Sequence, residues 1–149
     1  MRSRLRWSRR RLEKNHRTGS VTTYPFNVFG GVWEENTPPH LSELPRKGNT
    51  MVGNDVWFGR ECLILPGVRI GDGAMIAARS AVSINIEPDT IAGGNPARPI
   101  RKRFDDGLID LLLRLRWWDF EPEPLAELLP LLCDQDLERV RQTLTGMLA

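Results

Sequence analysis

Cysteine, histidine and long apolar runs are all scarce in this 149-residue chain, and each scarcity closes off a class of function. Cys62 and Cys133 are the only cysteines. Two thiols build neither a disulfide framework nor a four-thiolate zinc site, so the expected compartment is a reducing cytoplasm. No apolar run approaches the roughly 18 residues of a membrane span, because even Leu108 to Trp118 is broken by Asp110, Arg114 and Arg116. His16 and His40 are the only histidines, so the sequence cannot supply three histidine ligands to a metal. The phosphate-binding P-loop and the dinucleotide fingerprint are absent.

What is present is ordinary globular composition with an uneven charge. The chain is 40% hydrophobic and 27% charged, near the commonest size of one domain. Residues 1–18 hold eight Lys or Arg against Glu13, a charge of +7, which leaves 13 basic and 18 acidic residues, −5, for the rest. Such a head suits a nucleic-acid arm or an organellar transit peptide, while the lack of an apolar stretch excludes a secretory signal. A solvated, poorly ordered terminus is the expectation, and with no recognition fold for nucleic acid the nucleic-acid reading is set aside.

From Val52 the chain repeats every six residues. Val52, Phe58, Ile64, Ile70, Ile76 and Val82 are all apolar. One place later stand Gly53, Gly59, Leu65, Gly71, Ala77 and Ser83, and four places later Val56, Cys62, Val68, Ala74, Ser80 and Ile86. A helix repeats its apolar face every three to four residues and a strand every two, so a period of six needs a short strand plus a corner. That pattern predicts a parallel β-helix in which aliphatic side chains stack on their equivalents about 4.8 Å along the axis. A β-sandwich with glycine turns is the competing reading, but its turns are spaced more widely and less regularly.

With three strands per coil, residues 52–69 and 70–87 make two coils, fewer than the three or more repeats a solenoid usually needs. Residues 88–102 read as an exit loop, since Pro88, Gly93, Gly94, Pro96 and Pro99 exclude regular helix. From Arg103 the period turns helical through Leu108, Ile109, Leu112, Leu113 and Leu115, ahead of Trp117 and Trp118. Two short helices are predicted from Leu125 to Leu132 and from Leu137 to Leu148. The expected organisation is a basic head over 1–15, a β-helix domain over 16–102 with an excursion over 17–50, and a helical extension over 103–149.

Several motifs now fall in order: Asn15-His16-Arg17, Thr23-Tyr24-Pro25-Phe26-Asn27, Gly53-Asn54-Asp55-Val56-Trp57, Pro66-Gly67-Val68, Ile70-Gly71-Asp72-Gly73-Ala74, Ala92-Gly93-Gly94-Asn95-Pro96-Ala97 and Trp117-Trp118. In these the chain resembles the xenobiotic acetyltransferases, the branch of the hexapeptide-repeat acyltransferases that includes streptogramin A and chloramphenicol acetyltransferases. The resemblance implies a mainly β fold built on a left-handed β-helix, an exception to the usual right-handed crossover, assembled as a homotrimer with sites between subunits. It also implies acetyl transfer from acetyl-CoA to a hydroxyl of an antibiotic-like acceptor, with no metal. A γ-class carbonic anhydrase on the same scaffold fails on the histidine count.

By resemblance His16 occupies the position of the general base, a role that an imidazole with a pKa near 6.5 suits. His40, beside Pro38 and Pro39, lacks such support. Related enzymes hold the pantetheine arm in a groove along the coils, which singles out Gly73, Ala78 and Ser80. Arg98, Arg101 and Lys102 follow the Gly93-Gly94-Asn95 loop and are candidates for the coenzyme phosphates. Tyr24, Phe26 and Trp33 lie in the excursion that covers the acceptor in the family, where aromatic rings suit a large apolar ligand. A small satellite core is the equal alternative for them. Trp57 is expected at a corner, packing toward a neighbouring subunit, and Trp117 and Trp118 as anchors that dock a helix.

One departure stands out: relatives carry several dozen more residues ahead of the histidine motif, including early coils. A shortened copy of the enzyme, or an inactive remnant serving only as a trimeric scaffold, is the alternative expectation. Exposed coil edges would follow from the loss.

Overall fold

The structure is a computed structural model that describes residues 19–24, 26, 30–37 and 47–149. The chain divides at Thr50/Met51 into two units, taken separately below.

In the second unit, six two-residue strands follow one another: β1 (Met51–Val52), β2 (Trp57–Phe58), β3 (Leu63–Ile64), β4 (Arg69–Ile70), β5 (Met75–Ile76) and β6 (Ala81–Val82). Each ends on a member of the six-residue apolar series. Pairing is parallel and always 18 residues apart: Val52 with Ile70, Phe58 with Ile76, Ile64 with Val82. Three strands therefore close one coil, and the three faces of a prism carry one ladder each. Amides of the first coil donate to carbonyls of the second at 2.8 to 2.9 Å, as from Gly53 to Ile70 and from Gly59 to Ile76.

The interior is the stack foreseen from the period. Ile70, Ile76 and Val82 are 0 to 3% exposed, joined by Val68, Ala74, Ile86, Ala92 and Ala97 in one core. Burial on this scale contributes about 1.5 to 3 kcal/mol per large aliphatic side chain. In the first coil Val52 is 38% exposed, and Phe58 and Ile64 are half-buried. Position in the stack, rather than side-chain type, sets this difference, since the last part of the chain covers the second coil and only the second coil covers the first.

The corners follow a rule of their own. Asp55, Glu61, Gly67, Gly73 and Arg79, again six apart, have φ of 52°, 61°, 78°, 69° and 57°. Only a left-handed residue turns the chain sharply enough between two short strands, and three of these five carry a β-carbon, a conformational cost of about 1 to 2 kcal/mol each. Gly59 has a different role: a β-carbon there would collide with the Ala78 amide of the next coil.

Two expectations need correction. Trp57 is not at a corner but in strand β2, pointing outward from a face and 53% exposed, because its neighbour Phe58 takes the inward position. Residues 88–102 are not a loop but a hairpin, β7 (Thr90–Gly94) and β8 (Ala97–Lys102), whose first strand extends the ladder of β2 and β5. Proline and glycine exclude helix there but permit strand at a sheet edge. The hairpin escapes a period of six because the last coil is two residues shorter: Ile86 pairs with Ile70 and Ala92 with Ile76, each 16 residues on. A third, incomplete coil thus caps the prism.

Beyond it, α2 (Asp106–Leu115), α3 (Pro122–Leu132) and α4 (Leu137–Met147) enclose a second core of Leu108, Leu111, Leu115, Leu128, Val140 and Leu144. Asp105 caps α2 by accepting from the Leu108 amide, and Asp136 caps α4 through Arg139. Arg116 ends α2 in a left-handed conformation, and Pro122 opens α3 at its first turn. Trp117 packs against this core, as an anchor would. Among the described residues no helix is long and apolar enough to cross a membrane.

In the first unit the described residues form one short helix, α1 (Val32–Glu35).

Candidate active site

The candidate site residues fall into three groups. In the first unit the rings of Tyr24 and Phe26 lie 4.7 Å apart, and those of Phe26 and Trp33 5.2 Å apart. The three aromatics foreseen for the acceptor therefore meet. They remain 36 to 53% exposed, so together they offer apolar surface rather than a sealed core.

His16 lies outside the described residues, as do Asn15, Arg17, Pro25, Asn27 and His40.

In the second unit, the groove residues do not share one surface. Ala78 is exposed beside the corner made by Arg79, whereas Gly73 is buried at the corner below Asp55. Ser80 is 1% exposed and its hydroxyl is committed, donating to the Ala77 carbonyl at 2.7 Å and accepting from the Gly94 amide at 3.1 Å. Ser80 thus ties the last full coil to the β7 to β8 turn, and alternation of inward and outward positions put it inside. Gly93 and Gly94 end β7, and the turn itself is Asn95–Pro96 with a cis bond; Gly94 and Asn95 are exposed.

Arg98, Arg101 and Lys102 are brought together on β8, all exposed. Arg98 pairs with Gly93 and Arg101 with Ile91 across the hairpin. Lys102 Nζ donates to the Pro88 carbonyl at 3.1 Å. Among the described residues no carboxylate lies within ion-pair distance of these three cations. These side chains donate to nearby carbonyls, Arg98 to Ala97 and Arg101 to Lys102, and leave positive charge along one exposed strand.

The motif carboxylates hold the coils together. Asp72 Oδ1 accepts from the Asn54 amide and side chain at 2.6 and 2.9 Å, one coil to the next. Sequence reading missed a further cluster. Asp55, Gly73 and Asp89 stack at one corner, 18 and 16 residues apart, and Arg103 closes it. Its Nη1 donates to the Gly73 carbonyl at 2.7 Å and stands 3.2 Å from Asp89 and 3.6 Å from Asp55. Burial pushes the Asp89 carboxyl up, against the lowering pull of the Arg103 guanidinium. Only the shortened last coil brings residue 89 under residue 73, so an unbroken six-residue count could not find this group.

The chain is similar in sequence to known proteins. The profile of "Bacterial transferase hexapeptide (six repeats)" matches residues 49–83. A "Probable macrolide acetyltransferase" of Lysinibacillus sphaericus is 50% identical over 121 residues, 81% of this chain and 67% of its own length. A chloramphenicol acetyltransferase of Klebsiella aerogenes is 40% identical over 83% of this chain and 58% of its own. A virginiamycin A acetyltransferase of Staphylococcus aureus is 47% identical over 86% and 58%. The chain spans between 58 and 67% of the length of these three relatives. With a hexapeptide match on its coils and half-identity to such a relative over two thirds of that protein, the chain belongs to the hexapeptide-repeat acetyltransferases, in the branch whose relatives are named for antibiotics.

Proposed function

We propose that the protein transfers an acetyl group from acetyl-CoA to a hydroxyl of an antibiotic-like acceptor of the streptogramin A or chloramphenicol class. The observation that carries the reading is the coincidence of the 18-residue coil with 40 to 50% identity to antibiotic acetyltransferases across at least four-fifths of the chain.

In this reading the acceptor hydroxyl attacks the thioester carbonyl while His16 takes its proton. The carbon–oxygen bond forms, negative charge gathers on the carbonyl oxygen, and a backbone N–H or ordered water stabilises it. Collapse breaks the carbon–sulfur bond, and the imidazolium returns its proton to the departing thiolate. Arg98, Arg101 and Lys102 hold the coenzyme phosphates, with Gly93 and Gly94 at the end of β7 and Asn95 in the turn beside them, and the exposed Ala78 along the pantetheine path. Tyr24, Phe26 and Trp33 hold the apolar body of the acceptor. The coils wind left-handed and three copies assemble around the sites. The uncharged, outward residues Met51, Trp57 and Leu63, each more than half exposed, supply the surface for that assembly. The compartment is the cytoplasm, in keeping with the two free thiols.

The test follows thiol release from acetyl-CoA with chloramphenicol, a streptogramin A and a macrolide in turn. Turnover of at least one is expected, and His16→Ala should lower it about a hundredfold or more. An active parent matched by an equally active variant removes His16 as base. A chain that neither binds acetyl-CoA nor turns over any of the three removes the reading itself.

A further inference from the structure

The prism and the helical extension each fill an apolar core of their own, and the two cores share no residue. Between them lies a cavity of about 370 Å³, faced by Asp55, Asp72 and Asp89 from the prism and by Leu112, Trp117 and Leu132 from the helices. A junction that encloses such a space is not close-packed, and bodies joined without a large apolar contact move relative to one another unless other contacts hold them.

Those other contacts converge on one side chain. Among the described residues, every hydrogen bond or ion pair that crosses from residues 51–102 to residues 103–149 ends on Arg103. Its amide donates to the Asp89 carbonyl at 2.7 Å and its Nη1 to the Gly73 carbonyl at 2.7 Å. The same nitrogen stands 3.2 Å from the Asp89 carboxylate and 3.6 Å from that of Asp55. The next residue belongs to the other body: Phe104 packs against the helical core, with the Arg103 guanidinium 5.0 Å from its ring centre. Asp105 then caps α2. One step along the backbone therefore passes from the prism to the helices. The Asp89 side chain is 5% exposed and that of Asp55 42%. Attraction between charges is strong where water is excluded and weak at an exposed pair, so Asp89 supplies most of the hold.

From this arrangement we infer that Arg103 is a latch: it fastens the helical extension to the Asp55 corner of the prism, and its release lets the extension swing as a folded body about residues 103–105 and open the cavity. An ion pair within a single core differs from such a latch, because cutting it unfolds the body that contains it. The inference does not depend on His16 or on the acetyl-transfer reading.

Pulsed dipolar spectroscopy on the full chain tests it. One spin label is placed at Arg60→Cys, whose native side chain is 90% exposed on the prism, and the other at Thr145→Cys, an exposed position on α4. The background is Cys62→Ser with Cys133→Ser, since serine keeps the hydrogen bond that Cys62 Sγ donates to the Gly59 carbonyl. Labelled chain is diluted into unlabelled chain, so that only distances within one copy are read. The parent is expected to give one narrow distance. Arg103→Met keeps the aliphatic stem without the guanidinium, and should broaden the distribution about twofold or more while circular dichroism shows the helices retained. Asp89→Asn cuts the latch from the prism side and suits the left-handed backbone there, since asparagine adopts that conformation readily; it should broaden the distribution as well. Arg103→Lys, which has the charge but not the fork, should recover part of the narrowing. If Arg103→Met does not fold, Asp89→Asn decides. A distribution that stays narrow in Arg103→Met or in Asp89→Asn, a parent as broad as its variants, or loss of the helices in Asp89→Asn would each overturn the inference.

Discussion

At the residue scale, one chemical change has opposite consequences at two glycines. Gly59 sits where a coil turns against the next, and an added β-carbon would strike the Ala78 amide. Gly146 lies near the exposed end of α4, with nothing within 4 Å of the same carbon. Gly59→Ala is expected to destabilise by about 2 kcal/mol, and Gly146→Ala to stabilise by about 0.5 to 1 kcal/mol, both measured by denaturant unfolding. The apolar series from Val52 to Val82 could be read directly, because each member has the same inward environment. The corner residues could not: Asp55, Glu61 and Arg79 look like ordinary surface residues, and their left-handed backbone follows from the coil, not from their side chains. Ser80 shows a further limit, since its type suits a groove as well as a core and only the hydrogen bond from Gly94 decides.

At the element scale, the β7 to β8 hairpin and the helical extension differ in how they are held. β8 presents Arg98 and Arg101 on an open strand, so removing both should leave the fold intact. Arg98→Ala with Arg101→Ala is expected to raise the KM for acetyl-CoA about tenfold or more, with kcat changed less, read from steady-state kinetics. An unchanged KM would take the phosphates elsewhere. The extension depends on Asp105, which caps α2 and pairs with Arg141 of α4. The Arg141 hydrogen bond, with the Leu108 amide, holds the Asp105 carboxyl below its ordinary 3.8. A carboxyl lowered by folding contributes stability above its unfolded pKa and loses it as pH falls through the folded value. Thermal unfolding followed by tryptophan fluorescence should therefore show the midpoint dropping below pH 3.8, with Asp105→Asn, which keeps a good cap, showing a shallower fall. The helices could be read from their leucine spacing, with Pro122 opening α3. The hairpin could not, because a two-residue contraction of the last coil took Ile86 and Ala92 off the count that began at Val52.

At the scale of the whole molecule, stability is graded along the prism axis. Two strands of the second coil, β4 and β5, have ladder partners on each side and its interior is nearly sealed, while the first coil leaves Val52 38% exposed and Met51, Trp57 and Leu63 beyond half. Amide hydrogen exchange should be slowest for Ile76 and its neighbours and clearly faster over residues 51–65, with protection rising coil by coil. Uniform protection of both coils would mean that the first is covered as fully as the second.

The sequence by itself determined the hexapeptide prism and the helical extension, because an apolar residue at every sixth place suits a short strand and a corner, and the family follows from its likeness to named relatives. Only the tertiary structure decided that Ser80 faces inward, that Trp57 lies in a strand rather than at a corner, and that Asp55, Asp89 and Arg103 share one corner. Those facts depend on how many residues each coil uses before it returns beneath its predecessor. Such a length is set by the packing of one coil on another and is invisible in any single residue.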